Sequence, residues 1–155
     1  MKEINQELIG RVLEMYKPEQ RLLKSANMNY PIISGKFLIG PTYYTHEPLK
    51  HATDIEIQLC LNQLVYVEVA ESIQKNLVPE LRGMDFSSLQ KEGMLIIESQ
   101  KRFNRDIKTD VEIDGVLRIR RLKNYKGLLV ANTDFDFEKG SCFGFLELVI
   151  KKEFN

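Results

Sequence analysis

The sequence predicts an α+β fold in which one long helix is followed mainly by antiparallel strands. The first observation is a single long helical stretch in the first half of the chain, from Thr53 to about Lys75. The second is a change of pattern after Pro79, where short stretches rich in β-branched and aromatic residues alternate with polar turns. The chain has 155 residues, enough for one hydrophobic core, and we expect residues 1–155 to form a single domain.

Three elements are predicted before the long helix. Residues 4–16 carry apolar side chains at helical spacing, and Pro18 ends this helix because the residue before a proline avoids helical geometry. Residues 30–39 mix β-branched and aromatic side chains, as is typical of a strand. A Gly-Pro pair interrupts this strand, and residues 42–46 are predicted to form a second extended stretch.

The pattern after the long helix predicts five strands, at residues 93–103, 108–113, 116–122, 128–135 and 142–152. Asp114 and Gly115 form a turn signal, and we expect them to join the second and third of these strands as a hairpin. Strands joined by short turns pair antiparallel, so the second half of the chain should build most of one antiparallel sheet.

The start of the long helix matches a capping box. The Thr53 hydroxyl is expected to accept from the backbone N–H of Glu56, and the Glu56 side chain to reach back to the Thr53 N–H. This is a structural interpretation, and it is compatible with a functional one. A helix start presents free N–H groups and the positive end of the helix dipole, so the amides of residues 52–55 could hold an oxyanion formed on a thioester carbonyl.

Asn62, Gln63 and Tyr66 are polar residues within the apolar stretch of the long helix. They predict either a subunit interface or a substrate tunnel lined by an amide and a phenol. We expect Asn62 to point into an acyl tunnel at a dimer interface, with Gln63 and Tyr66 supporting it. Asn62 lies roughly 14 Å along the helix from Thr53, so the two could not contact one carbonyl. Either the helix start or Asn62 should hold the thioester.

The composition argues against several classes of function. Lysine plus arginine number 22 and aspartate plus glutamate number 22, so no net positive field favours nucleic acid. Cys60 and Cys142 lie in apolar stretches, no Cys/His pattern typical of zinc sites is present, and we expect neither a metal nor a cofactor. The sequence shows no signal-peptide pattern and no apolar stretch long enough to cross a membrane, so we expect a cytoplasmic protein.

Five segments resemble one known family in their order along the chain: RVLEMY at 11–16, IGPTYYTH at 39–46, HATDIEIQLCLNQLVY at 51–66, LRGMDFSSL at 81–89 and GMLIIESQKRF at 93–103. Together they resemble the FcoT-like long-chain fatty acyl-CoA thioesterases, and CLNQLVY is the most specific piece. That family has the hotdog fold, in which a curved antiparallel sheet wraps around one long central helix. The resemblance implies this fold and a fatty acyl thioester substrate, carried by coenzyme A or by an acyl carrier protein.

The resemblance also implies an active site built from tyrosines and amides. Tyr16, Tyr44 (or its neighbour Tyr43) and Asn62 match the family's site residues, and Thr53 falls where the family has a second asparagine. These four are the predicted catalytic residues. The predicted substrate-binding residues lie in the same matched segments: Tyr43, His51, Glu56, Leu59, Tyr66 and Arg102.

Leu59 separates this chain from the hotdog dehydratases, which carry an acidic residue at the matching position. A leucine cannot protonate a leaving hydroxyl, so dehydration is disfavoured. Neutral phenols and amides can orient a thioester carbonyl and stabilise an oxyanion. The resemblance therefore implies slow hydrolysis of an acyl thioester. The alternative it implies is conjugate addition of glycine to a (2E)-enoyl thioester on an acyl carrier protein, a reaction linked to family members in isonitrile lipid biosynthesis.

Two further questions stay open at this level. A non-catalytic acyl-binding protein is the third alternative, because the sequence has no Ser-His-Asp or Cys-His pattern that would exclude it. Glycine addition would also require a cation for the glycine carboxylate. The candidates are His46, Lys50, Lys101 and Arg102.

The sequence also predicts partners. A hotdog sheet ends in an edge strand, and pairing of two such edges predicts a homodimer or a multiple of dimers. A run of basic residues predicts either a solvated strand face or a docking surface for coenzyme A phosphates or an acidic carrier protein. These residues are Arg118, Arg120, Arg121, Lys123 and Lys126.

Overall fold

A seven-stranded antiparallel sheet packs against one long helix in the computed structural model, which describes residues 1–153. The helices are α1 (Gln6–Leu13), α2 (Asp54–Gln74) and the short α3 (Phe86–Ser88), which continues into a π-helical turn at Leu89–Gly93. The strands are β1 (Lys2–Glu3), β2 (Leu23–Asn29), β3 (Ile32–Leu38), β4 (Met94–Phe103), β5 (Glu112–Tyr125), β6 (Leu128–Phe137) and β7 (Cys142–Lys151). Their order across the sheet is β1-β2-β3-β5-β6-β7-β4. The prediction of an α+β fold with one long helix is confirmed.

The predicted hairpin at Asp114 and Gly115 is wrong, because β5 runs without interruption through both residues. Gly115 pairs with Gly35 in β3 and with Phe137 in β6. A Cβ atom at residue 115 would lie 2.6 Å from the Phe137 ring. This glycine therefore leaves room for an aromatic side chain of the core, and it does not mark a turn.

Two other predictions near the first strands require correction. Residues 42–46 form a loop with bends at 43–46 and not a strand, and the two threonine hydroxyl groups bond to each other within it, with Thr42 Oγ1 and Thr45 Oγ1 2.5 Å apart. Strand β2 was not predicted, because its sequence LKSANMN contains no β-branched residue. Strand β2 pairs with β3 on one side and with β1 on the other, and these backbone hydrogen bonds hold it extended despite its low strand propensity.

Helix α2 is buried on most of its circumference. Ile57, Leu61 and Leu64 are fully buried among side chains of the sheet such as Phe37 and Leu117. Apolar residues on nearly all sides are expected when a helix is surrounded by a sheet and loops. The core lies between this helix and the helix-facing side of the sheet.

Gln63 is fully buried and connects α2 to the start of β2. Its Oε1 accepts from the backbone N–H groups of Leu22 and Leu23 at 2.9 and 3.1 Å, and its Nε2 donates to the Gln20 carbonyl at 2.7 Å. The amide thus satisfies three backbone groups where the chain enters the sheet. The expectation that Gln63 supports Asn62 through hydrogen bonds is wrong, since the polar atoms of Gln63 bond to this segment.

Strand β4 forms one edge of the sheet and carries exposed apolar side chains. Leu95, Ile96 and Ile97 are 47%, 40% and 56% exposed. Natural proteins rarely leave such an edge uncovered. The strand also contains a register shift between Ile96 and Glu98, which leaves Ile97 without a paired residue on β7. Within residues 1–153, no helix is both long and apolar enough to cross a membrane.

Candidate active site

Three side chains meet at the start of α2, and we call Tyr44, Thr53 and Glu56 the helix-start cluster. The Tyr44 hydroxyl lies 2.8 Å from each carboxylate oxygen of Glu56 and 2.7 Å from Thr53 Oγ1. Thr53 Oγ1 in turn donates to Glu56 Oε2 at 2.5 Å. The loop after β3 brings the tyrosine to the helix, and the first turn of α2 supplies the acid.

The helix-start cluster contains two hydroxyl donors, Tyr44 and Thr53, and one carboxylate that can accept from both. An ionised Glu56 only accepts, so the two hydroxyl protons of Tyr44 and Thr53 must serve the carboxylate and each other. Glu56 is 6% exposed whereas Tyr44 is 39% exposed, so the phenol stands between the carboxylate and solvent. Partial burial raises the pKa of Tyr44, and the Glu56 carboxylate raises it further. The phenol therefore stays protonated near neutral pH and can pass a proton to or from Glu56.

The predicted capping box forms only in part. Thr53 is the N-cap residue, but its hydroxyl accepts from the N–H of Ile55 at 3.3 Å and not from that of Glu56. The Glu56 carboxylate bonds to two hydroxyl groups and does not return to the Thr53 N–H. The sequence interpretation of Glu56 as a cap was therefore wrong. The tyrosine from a distant loop competes successfully for the carboxylate.

The backbone amides at the helix start are partly occupied. The Ala52 N–H donates to the Ile107 carbonyl at 2.7 Å, and the Ile55 N–H is used by Thr53 Oγ1. The N–H groups of Thr53, Asp54 and Glu56 have no acceptor among the described residues. The Thr53 and Asp54 amides, at the very start of the helix and beside the Tyr44 phenol, could stabilise negative charge on a carbonyl oxygen.

A narrow crevice adjoins the helix-start cluster and contains two more of the predicted residues. Tyr43, Tyr44, Glu56 and Leu59 all line it. The rings of Tyr43 and Tyr44 pack edge to face with centroids 5.2 Å apart. Leu59 replaces the dehydratase acid, but a carboxylate is present one turn earlier on α2. The fold thus supplies a carboxylate that could exchange protons with a substrate through Tyr44, whereas the sequence pattern indicated only a helix cap.

A second polar cluster joins α2 to the edge strand β4, and we call Gln58, Asn62, Ser99 and Lys101 the edge cluster. Gln58 Nε2 donates to Asn62 Oδ1 at 2.9 Å. Gln58 Oε1 accepts from Ser99 Oγ at 2.9 Å and from the Lys101 ammonium. Lys101 Nζ also contacts Ser99 Oγ at 2.8 Å and Asp54 Oδ1 at 2.9 Å. Of these residues, Asn62 was predicted as a catalytic residue, and Lys101 was one of the candidate cations for a glycine carboxylate. The i, i+4 spacing of Gln58 and Asn62 was the available signal.

An open groove of about 260 Å³ lies beside the edge cluster, between α2 and β4. Tyr66 lines it together with Asn62, and the Tyr66 ring packs edge to face on Phe86. Tyr16 lies near Tyr66: burial, with a smaller contribution from Tyr66, raises the pKa of Tyr16 well above its usual value. Burial also raises the pKa of Tyr66. Both phenols are therefore neutral donors at physiological pH. The remaining lining is apolar: Val65, Met94, Leu95, Ile96 and Leu148.

The predicted site residues thus fall into two groups in one chain. Glu56 and Asn62 are six residues apart, which rotates their side chains by roughly 240° about the helix axis. The structure brings Tyr43, Tyr44, Thr53, Glu56 and Leu59 together at the helix start, and it places Asn62 and Tyr66 beside the groove. Tyr16 lies near Tyr66 but is not among the residues that line the groove.

Two predicted residues join neither group. His51 is exposed and forms an isolated β-bridge with Lys108. Arg102 is exposed and donates to Asn104 Oδ1 at 3.1 Å. It follows Lys101 on β4, so alternation along the strand directs it away from α2.

The architecture is that of the thioesterase-type hotdog proteins. A mutant thioesterase from Pseudomonas aeruginosa superposes with a TM-score of 0.58, at 12% identity over 95% of this chain and 94% of that one. A virulence protein from Campylobacter jejuni superposes with a TM-score of 0.56, at 14% identity over 96% of this chain and 94% of that one. At these identities the likeness defines the fold alone, and the predicted hotdog fold is confirmed.

The family follows from the sequence comparisons. The model of the FcoT-like thioesterase domain matches residues 11–150, and the chain belongs to this family. It is 31% identical to a (2E)-enoyl-ACP glycyltransferase from Mycobacterium marinum, over 94% of this chain and 85% of that protein. A protein of the same name from Mycobacterium tuberculosis is 32% identical over 67% of this chain and 61% of its own length. The resemblance inferred from the motifs is confirmed, and the chain is an enzyme of the thioesterase family.

Proposed function

We propose that this enzyme adds glycine to the double bond of a (2E)-enoyl thioester carried by an acyl carrier protein. The name of the relatives that match at 31–32% identity supports this reaction. The structural observation that carries the proposal is the helix-start cluster, where an exposed phenol is backed by a buried carboxylate. Such a pair can both remove and return a proton, which the addition requires.

The groups at the helix start can perform each step of the glycine addition. A glycine ammonium gives one proton through Tyr44 to Glu56, and its nitrogen then attacks C3 of the enoyl chain. The C2–C3 double bond opens, and negative charge develops on the thioester oxygen near the N–H groups of Thr53 and Asp54. The enolate collapses as the same proton returns to C2. One N–C bond forms, one π bond is lost, and the proton has moved from nitrogen to carbon.

Hydrolysis is the second candidate reaction, and the family to which the chain belongs supports it. In hydrolysis the Tyr44 phenol and Glu56 would take a proton from water, and the water oxygen would attack the carbonyl carbon. The C–S bond then breaks, and the thiol leaves with a proton. Both reactions place charge on the same oxygen, so the same amides serve either one.

One assay separates the two reactions. A (2E)-enoyl acyl carrier protein is incubated with the enzyme, with and without glycine, and intact carrier protein is weighed by mass spectrometry. We expect a carrier-bound product heavier by one glycine, formed only when glycine is present. Release of free carrier thiol at the same rate in both samples would contradict the proposal and favour hydrolysis. An unchanged substrate in both samples would favour a non-catalytic acyl-binding protein.

A homodimer formed through β4 is part of the proposal. The exposed side chains of Leu95, Ile96 and Ile97 offer an apolar edge, and pairing with a second copy would extend the sheet and cover it. The groove that contains Asn62 borders this edge, so a partner subunit would form its outer wall. This arrangement supports Asn62 acting in a substrate tunnel at a subunit interface, as the sequence predicts.

The carrier and the compartment are proposed on charge and on the cysteines. Arg121, Lys123 and Lys126 are exposed near the end of β5 and suit an acidic carrier protein or coenzyme A phosphates. Arg120 is less available, because its guanidinium pairs with Asp134. Cys60 and Cys142 are buried free thiols, which suits the reducing cytoplasm.

A further inference from the structure

We propose that Lys101 and Gln58 are positioning residues that fix the orientation of the Asn62 amide, so that its NH₂ group faces the groove. The groove would then receive a hydrogen-bond acceptor, specifically a carbonyl oxygen of the thioester substrate. This inference rests on the proposed function in one respect, namely that Asn62 contacts the substrate. The orientation itself follows from which atoms in the edge cluster can donate.

The Lys101 ammonium determines which end of the Gln58 amide faces it. An ammonium group has three donors and no acceptor, so it can bond only to an oxygen. Lys101 bonds to Gln58 Oε1, and Ser99 Oγ reaches the same oxygen at 2.9 Å. Ser99 accepts from Lys101, which leaves its own proton free to donate to Gln58. A flipped Gln58 would place its NH₂ against an ammonium.

The orientation of Gln58 then determines that of Asn62. With its oxygen held by Lys101, Gln58 has only its NH₂ group to offer, and Nε2 donates to Asn62 Oδ1 at 2.9 Å. The Asn62 oxygen is therefore occupied, and its NH₂ remains. In the described residues that group has no acceptor, and Asn62 lines the groove. An isolated asparagine could rotate at little cost, but rotation here would set two NH₂ groups against each other.

The Lys101 ammonium is held by several partners, so the chain of hydrogen bonds from Lys101 through Gln58 to Asn62 is rigid. The Lys101 side chain is only 7% exposed, and its charge is paired with Asp54 Oδ1 at 2.9 Å. With Gln58 and Ser99 it has an acceptor for each of its three donors. Removing a partner from a buried charge is costly, so Lys101 is unsuited to leave the cluster for a glycine carboxylate. The structure gives it a positioning role in place of the substrate-binding one considered from the sequence.

The variant Gln58→Glu separates an orienting role from a structural one. The introduced carboxylate still accepts from Lys101 and Ser99, so a merely structural role is preserved or strengthened. It has no NH₂ group, so it can bond to Asn62 only if that amide rotates and turns its oxygen to the groove. We expect an unchanged or higher melting temperature, together with a roughly tenfold or larger loss of kcat/KM, the size of one lost hydrogen bond.

Lys101 variants provide a second measurement in case Gln58→Glu does not fold. Lys101→Met frees Gln58 to flip and should lower kcat/KM, whereas Lys101→Arg retains a donor and should recover part of it. Lys75→Met, at the exposed end of α2, is the matched control and should not change turnover. The split between kcat and KM identifies the oxygen bound. A rise in KM alone indicates an amide carbonyl of the pantetheine arm, as expected if the helix start holds the reacting carbonyl. A loss in kcat would indicate that Asn62 holds the reacting thioester carbonyl, and it would contradict the placement of that carbonyl at the helix start.

Asn62→Ala is measured in the same enoyl-thioester assay, so that the inference and the proposed function can fail separately. If Asn62→Ala loses activity while Gln58→Glu and Lys101→Met turn over like wild type, the orienting role is overturned and the proposed function stands. If Asn62→Ala also turns over like wild type, Asn62 does not contact the substrate. Both the orienting role and the part of Asn62 in the proposed site are then wrong.

Discussion

The Tyr44 hydroxyl lies 2.8 Å from both carboxylate oxygens of Glu56, although one residue belongs to a loop and the other to the first turn of α2. In the proposed function this pair is the acid–base group, and it lies at the start of a helix on which Leu59 occupies the position of the dehydratase acid. The carboxylate is buried and the phenol is accessible, so a substrate would meet the tyrosine first. This relationship leads to the first prediction.

Tyr44→Phe and Glu56→Gln should each lower the turnover of an enoyl or acyl thioester. The first change removes the hydroxyl proposed to contact the substrate, and the second removes the proposed final proton acceptor while keeping the shape of the side chain. We expect losses of roughly 100-fold or more in kcat, as is typical for a general acid–base group. Steady-state kinetics with Tyr125→Phe as the control, an exposed tyrosine at the end of β5, tests this. Wild-type kcat in both variants, with unchanged melting temperatures, would show that the helix-start cluster is not catalytic.

Gln63→Leu should destabilise the fold. The substitution leaves the N–H groups of Leu22 and Leu23 and the Gln20 carbonyl without their partner in a buried setting. Each buried polar group left unpaired costs about 1–3 kcal/mol, so the free energy of unfolding should fall by several kcal/mol. Urea denaturation measures the change. Gln74→Leu, at the exposed end of α2, is the control, and equal effects of the two substitutions would contradict the role given to Gln63.

Glu68 should make the stability of the protein fall as pH rises. This residue is 2% exposed, and its Oε1 has no hydrogen-bond partner in the described chain. Burial raises the pKa of Glu68 well above 4.5. At pH values between the pKa of Glu68 in the unfolded state and its pKa in the folded state, Glu68 is ionised in the unfolded chain and neutral in the folded one. The contribution of Glu68 to the free energy of unfolding is therefore highest below about pH 4.5, and it declines above that by about 1.4 kcal/mol per pH unit.

Glu68→Gln removes this titration and keeps the size of the side chain. We expect the variant to lose the decline, so that its stability advantage over wild type grows with pH. Urea denaturation at several pH values above 4.5 measures the difference, and Glu71→Gln, which is less buried on the same helix, is the control. Parallel curves for wild type and Glu68→Gln would mean that Glu68 finds a partner or ionises in the folded protein.

Ile97→Lys should dissociate the proposed dimer. Ile97 is 56% exposed on the edge strand β4, and a lysine there places like charges near each other where two copies would meet. Light scattering at micromolar concentration should give a dimer or larger mass for wild type and a monomer for the variant. Val116→Lys is the matched control, because it adds the same charge at a partly exposed position on the interior strand β5. A monomeric wild type would rule out the dimer itself.

The local sequence determined which segments form helices and which segments form most of the strands. The long helix begins at Asp54 because Thr53 caps it, and its apolar residues on most sides require a surrounding sheet. The motif segments, above all CLNQLVY, were enough to predict the family and the hotdog fold. These features depend on neighbours within a few residues, so a sequence can reveal them.

The tertiary structure decided the features that depend on distant partners. Gly115 was interpreted as a turn because the Phe137 ring that occupies its space is 22 residues away and on another strand. Glu56 was interpreted as a helix cap because a sequence cannot show that Tyr44 reaches its carboxylate. Lys101 was one of four candidate cations until β4 placed it against Gln58 and Asp54. Side-chain hydrogen bonds between elements are short-ranged in space but not along the chain, and only the folded sheet brings their partners within reach.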